Sequence, residues 1–114
     1  MKILLVYPYV LEERIQEEDV QWPPIGIFYV GAMLKDQGFE VEVCNWHDRA
    51  GQAEEMEAVL KEKAPDVIGF SVLHANRWGA LEIAGMARRV LPHVTTVFGG
   101  IGATFLWEHF LTHF

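Results

Sequence analysis

The sequence predicts an α/β domain built on a parallel sheet, and three observations support this fold class. Strand-like and helix-like segments alternate along the chain, which is typical of such domains. Residues 67–72 form a run too apolar to face water on either side, as in a central parallel strand. The Pro-Pro-Ile-Gly run at residues 23–26 predicts a helix start, because a proline in the first helical turn loses no hydrogen bond.

Each element follows from local periodicity and from residues that stop it. The predicted strands cover residues 2–7, 39–44, 67–72 and 94–98. The predicted helices cover residues 24–37, 52–64 and 77–91, and an amphipathic segment covers residues 103–114. Gly38 is predicted to end the first helix in the left-handed conformation, and Pro65 stops the second. The predicted buried stripe of the third helix consists of Leu81, Ala84, Ala87, Val90 and Leu91.

This order of elements favours a doubly wound sheet with strand order 2-1-3-4 and helices on both faces, as in flavodoxin-like folds. The fold then has a switch point between the first and third strands, where ligands bind at the carboxyl ends. Three loops converge there: residues 8–22, 73–77 and 99–102. The first of these is acidic and about a dozen residues long, a length that usually indicates function or disorder.

Composition excludes several classes of protein. The chain has 114 residues and a net charge of −7, which argues against nucleic-acid binding because phosphate contacts need a basic surface. It has no apolar run of the roughly 20 residues that a membrane span requires. Cys44 is the single cysteine, so no intrachain disulfide can form. These features predict a one-domain cytoplasmic protein.

No catalytic constellation or phosphate-binding motif follows the first strand. A phospho-acceptor domain would need aspartates where this chain has Tyr7-Pro8 and Ser71-Val72. The Gly99-Gly100-Ile101-Gly102 run has two interpretations. It is either a tight turn that needs positive φ, or a surface whose missing side chains let a bulky ligand lie against the backbone.

Histidines offer weak metal sites. His74 leaves the third strand directly into the predicted site, although a lone loop histidine is more often a surface residue than a ligand. His109 and His113 have the spacing of a helical metal-binding pair, but no third ligand accompanies them. We therefore predict no protein metal site.

Five motifs in order resemble a known family. They are Lys2-Ile3-Leu4-Leu5-Val6, Pro23-Pro24-Ile25-Gly26, Gln37-Gly38-Phe39-Glu40-Val41, Pro65-Asp66-Val67-Ile68-Gly69-Phe70-Ser71 and Val97-Phe98-Gly99-Gly100. Together they resemble the cobalamin-binding domain that precedes the radical S-adenosylmethionine (SAM) barrel of cobalamin-dependent radical enzymes. The resemblance covers residues 2 to about 110. It implies cobalamin as the cofactor, with its dimethylbenzimidazole detached from cobalt and held beside the sheet.

The resemblance also implies which residues lie at the cofactor. Residues 71–74 would lie near the corrin, the three glycines of the 99–102 loop would lie along the nucleotide tail, and the first loop and helix start would complete the site. The predicted cofactor-binding residues are Pro8, Tyr9, Pro24, Gly26, Ser71, Val72, Leu73, His74, Gly99, Gly100 and Gly102. Related mutases and methionine synthases supply a histidine ligand from an Asp-x-His-x-x-Gly loop after the first strand, and this chain lacks that loop. Asn45 to Gly51 is similar to the motif only loosely and follows the second strand.

Two departures from the family bear on the parent protein. Radical SAM enzymes need a Cys-x-x-x-Cys-x-x-Cys site for a 4Fe-4S cluster, and this chain has one cysteine. The expected fifth strand and last helix are missing as well. We therefore expect residues 1–114 to be the cobalamin-binding part of a longer enzyme whose C-terminal domain holds SAM and the 4Fe-4S cluster. That enzyme would catalyse methyl transfer or oxidative ring closure.

Other interpretations stay open from the sequence alone. The chain could be a substrate-recognition or interaction domain of the same fold that has lost cobalamin. A stand-alone nucleotide binder is disfavoured, because no phosphate-binding turn follows the first strand. The missing strand and helix also predict self-association through strand four or the last helix.

Overall fold

The computed structural model describes residues 1–11 and 24–114. Its strands are β1 (Lys2–Tyr7), β2 (Glu40–Asn45), β3 (Val67–Ser71) and β4 (Thr95–Gly99). Its helices are α1 (Ile25–Asp36), α2 (Ala53–Lys63), α3 (Arg77–Val90) and α4 (Ile101–His113). The sheet has the order β2-β1-β3-β4, and each neighbouring pair is parallel. The predicted fold class and strand order are confirmed.

Alternation along β1 divides the core between the two faces of the sheet. Ile3 and Leu5 pack with Ile27 of α1 on one face. Leu4 and Val6 belong to a larger cluster on the other face, which α2, α3 and α4 cover. Helices therefore pack on both faces, as a parallel sheet requires.

The predicted stripe of α3 is confirmed in part: Ala84 and Ala87 are buried, and the other three residues are partly buried and pack against the core. Ala80, Ile83 and Ala87 are fully buried, whereas Leu81 and Val90 are only partly buried. Ala80, Ile83 and Met86 are also buried and were left out of the predicted stripe. Leu81 lies instead at the side of α3 that faces α4.

The element ends lie close to their predicted positions. Gly38 has a φ of +90° after α1, which confirms the predicted left-handed conformation. The largest shift is at α4, which begins at Ile101, two positions before the predicted segment. Most of the predicted acidic loop falls on residues 12–23, which lie outside the described residues. In the parts of the chain that the structure describes, no helix is both long and apolar enough to cross a membrane.

Candidate functional site at the carboxyl edge of the sheet

The candidate site lies where β1 and β3 end side by side. β1 is the neighbour of both β2 and β3, and all three strands run in the same direction. From β1 the chain proceeds to α1 on one face, whereas from β3 it proceeds to α3 on the other. The two connections therefore separate at this edge, and such a switch point leaves a crevice at the carboxyl ends.

Backbone hydrogen bonds join the loops after β3 and β4. The Val72 N–H donates to the Gly99 carbonyl at 2.8 Å, and the Gly102 N–H donates to the Val72 carbonyl at 2.8 Å. A Cβ at Gly100 would lie 2.8 Å from the Val72 oxygen, and one at Gly102 would lie 2.9 Å from it. Gly100 also has a φ of +92°. These two glycines therefore allow the loops to meet, which supports the tight-turn interpretation at both positions.

Gly99 has a different environment from the other two glycines. It is exposed, and the nearest atom to a Cβ placed there would be the Phe70 carbonyl oxygen at 3.9 Å, an ordinary contact. The place of its missing side chain is therefore open space at the end of β4. Of the three glycines, Gly99 alone leaves room at which a ligand could approach the backbone.

Asn76 holds the loop after β3 in shape. Its side chain is 2% exposed. Its Oδ1 accepts a hydrogen bond from the Leu73 N–H at 2.7 Å, and its Nδ2 donates to the Ser71 carbonyl at 3.1 Å. With the loop fixed in this way, Leu73 and His74 lie at the surface and are exposed. Sequence reasoning missed Asn76, although an asparagine directly before a predicted helix start is a recognisable signal.

The segment after β1 is fixed to α3. Pro8 and Tyr9 are both buried, and the Tyr9 hydroxyl donates to the Glu82 carboxylate. A Cβ at Gly79 would lie only 2.2 Å from the Tyr9 carbonyl oxygen, so this position of α3 admits glycine alone. Burial, with the hydrogen bond to Glu82, raises the pKa of Tyr9 well above its usual range. The two side chains predicted to bind cofactor therefore pack inward, and Gly79 and Glu82 were missed.

Aromatic residues close the end of β2 against β1. The backbone N–H of Trp46 donates to the Tyr7 carbonyl at 2.9 Å. The His47 ring stacks on the Tyr7 ring, with 5.4 Å between the centroids. The Arg49 guanidinium lies 4.5 Å from the Trp46 ring. Trp46 Nε1 and His47 Nδ1 are buried without a hydrogen-bond partner among the described residues. The loosely motif-like segment 45–51 thus lies at the same carboxyl edge as the other loops.

The start of α1 contributes less to the edge. Pro24 is buried, and its carbonyl accepts hydrogen bonds from the Ile27 and Phe28 N–H groups at 3.1 and 3.3 Å. Gly26 is exposed, and a Cβ placed there would have no neighbouring atom within 4 Å. Among the residues that the structure describes, none therefore fills the space beside Gly26.

The histidines do not form a metal site within the described residues. His109 and His113 lie on α4 with ring centroids 4.7 Å apart. No group of three or more potential metal-ligating side chains occurs in residues 1–11 and 24–114. His74 is exposed, and its backbone carbonyl accepts a hydrogen bond from Arg77.

Comparison with known proteins gives a family and two relatives. A family model described as the B12 binding domain matches residues 15–113. The chain is 28% identical over 112 residues to the anaerobic magnesium-protoporphyrin IX monomethyl ester cyclase of Cereibacter sphaeroides, covering 97% of this chain and 18% of that protein. It is 27% identical over 115 residues to the cyclase of the same name from Rubrivivax gelatinosus, covering 97% of this chain and 20% of that protein. No solved structure gives a significant match.

Proposed function

We infer that this chain, which belongs to the B12 binding domain family, holds cobalamin over the carboxyl ends of β1 and β3. We also infer that no histidine of the chain is the lower ligand of cobalt. The chain is a cobalamin-binding module with a flavodoxin-like fold. The position of the cofactor and the absence of the histidine ligand are the proposed parts.

The open place at Gly99 is the observation that carries the proposed position. A corrin is a broad, flat macrocycle, and it needs a surface from which side chains do not project. Gly99 offers such a surface at the end of β4, beside the exposed Leu73 of the loop after β3. The backbone hydrogen bonds between the two loops hold this surface in place before any ligand arrives, which lowers the entropic cost of binding.

The surroundings of β1 support cobalamin binding without a histidine ligand. The residues that follow β1 are Pro8 and Tyr9, which are buried. The ring of His47 is stacked on Tyr7, and its Nδ1 is buried. His74 is the one exposed histidine in the candidate loops, so it is the one plausible exception.

The rest of the proposed function concerns the parent protein. The chain spans about a fifth of the length of the curated relatives it matches. We propose that the remainder carries a radical SAM barrel, its 4Fe-4S cluster and the substrate site, in a cytoplasmic enzyme. Both relatives are named as cyclases, which favours oxidative ring closure over methyl transfer. Cobalamin would supply the chemistry, and this chain would bind and orient it.

This division of labour predicts no turnover by the present chain alone. Its sole cysteine, Cys44, is half-buried, and burial raises the pKa of the thiol. One cysteine cannot supply the three thiolates of the cluster site. Reconstitution with iron and sulfide should therefore yield no stable four-iron cluster, and a stable cluster on each monomer would contradict the assignment.

Titration with hydroxocobalamin, followed by absorbance and equilibrium dialysis, tests the proposed position. Gly99→Leu fills the open place without a backbone clash, so we expect affinity to fall by about tenfold or more with unchanged thermal unfolding. Ala58→Leu puts the same side chain at an exposed position of α2 and should leave affinity unchanged. Equal binding by both variants would refute the position. No binding by the wild-type chain would favour an interaction domain that has lost cobalamin.

A further inference from the structure

A groove separates α3 from α4 on the face of the sheet opposite α1. Its volume is about 650 Å³, within the range of small-molecule sites. The Phe98 ring of β4 lies at its floor and meets the Phe110 ring edge to face, with centroids 5.4 Å apart. On the α3 side the small residues Ala84 and Gly85 face the groove, and their size leaves the space open.

Helix α4 forms the far wall of the groove, and two of its large apolar side chains there are largely exposed. Trp107 is 57% exposed and Leu111 is 80% exposed. Burial of apolar surface is favourable by about 25 cal/mol per Å², so an apolar occupant that covers these side chains would be stabilised. The groove thus suits a ligand with an extended or flat apolar body.

Arg88 adds a charge to this apolar lining. Its side chain lines the groove, and within residues 1–11 and 24–114 the structure gives its guanidinium no ion pair or hydrogen-bond partner. The adjacent Arg89 does not line the groove, and it interacts electrostatically with Glu57 of α2. A guanidinium at the border of apolar surface is suited to a carboxylate, because charge-assisted hydrogen bonds are strong there.

We propose that the groove between α3 and α4 binds an amphipathic monoanion: an apolar body against Phe98, Trp107 and Leu111, with its acidic group on Arg88. This groove adjoins the proposed cobalamin site, because Gly99 at the end of β4 lines it too, but the proposal does not depend on cobalamin binding. The positive charge on Arg88 at the border of the groove favours an anionic ligand.

Isothermal titration with decanoate and with decanol, its neutral counterpart, tests the proposal. We expect the wild-type chain to bind decanoate about tenfold more tightly than decanol, as one charge-assisted hydrogen bond allows. Arg88→Gln should abolish that difference while binding of decanol persists. Arg89→Gln is the matched control, and it should retain the full preference for decanoate.

A second variant fills the groove. A Cβ at Gly85 would meet only the far end of the Arg89 side chain, at 3.8 Å, so Gly85→Leu is compatible with the fold. We expect it to abolish binding of both ligands while thermal unfolding stays unchanged. The proposal is overturned if decanoate and decanol bind equally to the wild-type chain, if neither binds, or if Gly85→Leu binds both normally. It is also overturned if sedimentation detects a dimer that Gly85→Leu dissociates, since the occupant would then be a second copy.

Discussion

The two pairs of loops at the carboxyl edge of the sheet are held together in different ways. After β3 and β4, backbone hydrogen bonds join Val72 to Gly99 and Gly102, and glycines permit the approach. After β1 and β2, side-chain contacts add to the single backbone bond from Trp46 to Tyr7: the His47 ring stacks on Tyr7, and the Tyr9 hydroxyl binds Glu82 of α3. The shape of the first pair therefore depends on backbone hydrogen bonds and on one buried side chain, Asn76, which holds the loop after β3. The second pair depends on contacts between residues far apart in sequence.

The largest effect should come from the closest contact in the second pair. Gly79→Ala would put a Cβ 2.2 Å from the Tyr9 carbonyl oxygen, so α3 or the segment after β1 must move. We expect a loss of about 3 kcal/mol in the free energy of unfolding, measured with urea. Gly85→Ala on the same helix is the control, since it has free space and should gain up to about 1 kcal/mol. Equal stability of the two variants would show that the contact is not tight.

An alanine substitution at the close contact between the loops after β3 and β4 should lower the free energy of unfolding by less. Gly100→Ala puts a side chain at a φ of +92° and 2.8 Å from the Val72 oxygen. We expect a loss of about 2 kcal/mol, because the loops can separate slightly at an exposed edge. Gly99→Ala should change stability by less than about 0.5 kcal/mol, since its Cβ would make an ordinary contact. If Gly99→Ala were the more damaging variant, the distinction between the two glycines would be wrong.

Removal of the Tyr9 hydroxyl should have a smaller effect that depends on pH. Tyr9→Phe loses the hydrogen bond to Glu82, at a cost of about 1 kcal/mol near neutral pH. Burial and that hydrogen bond raise the pKa of Tyr9 in the folded state, whereas the unfolded chain keeps the ordinary value of 10.0. Above pH 10 the unfolded wild-type chain therefore binds fewer protons than the folded one, and stability falls by up to about 1.4 kcal/mol per pH unit.

Tyr9→Phe lacks this contribution, so its disadvantage should shrink as the pH rises above 10. Urea unfolding of both proteins from neutral pH to pH 11 measures the difference. Glu82→Gln is the companion variant, because it keeps an acceptor oxygen and removes the charge; it should lose less stability than Tyr9→Phe at neutral pH. A constant difference between wild type and Tyr9→Phe across this range would show that the hydroxyl is not buried against Glu82.

The smallest expected effect is weak self-association through the edge strand β4 or the last helix. β4 pairs with β3, and Val97 on it is 49% exposed, while Phe105 of α4 is 80% exposed. We propose that copies of the chain associate through this edge strand or the last helix. Sedimentation should then depend on concentration, and Val97→Lys should weaken association through the strand. A monomer at every concentration would refute this. Gly85→Leu, on the side of α3 that faces α4, should not affect the association.

The sequence predicted what depends on local signals. Alternating elements and the apolar run of β3 indicated the sheet order, and the glycines after β4 identified a loop at its edge. Asn76, Gly79 and Glu82 were missed because their roles depend on tertiary contacts: Tyr9 and Glu82 are 73 residues apart in sequence. The stripe of α3 was predicted only in part for a related reason: Ala84 and Ala87 are buried as predicted, but the small side chain of Ala80 does not indicate its burial.

The central claim, cobalamin binding without a histidine ligand, is tested most directly by electron paramagnetic resonance of bound cob(II)alamin. We expect no nitrogen hyperfine splitting from an axial ligand, in wild type and in His47→Ala and His74→Ala alike. Nitrogen-15-labelled protein separates a protein nitrogen from that of the cofactor's own dimethylbenzimidazole. A splitting that changes on labelling, vanishes in His74→Ala and persists in His47→Ala would contradict the claim and identify His74 as the lower ligand.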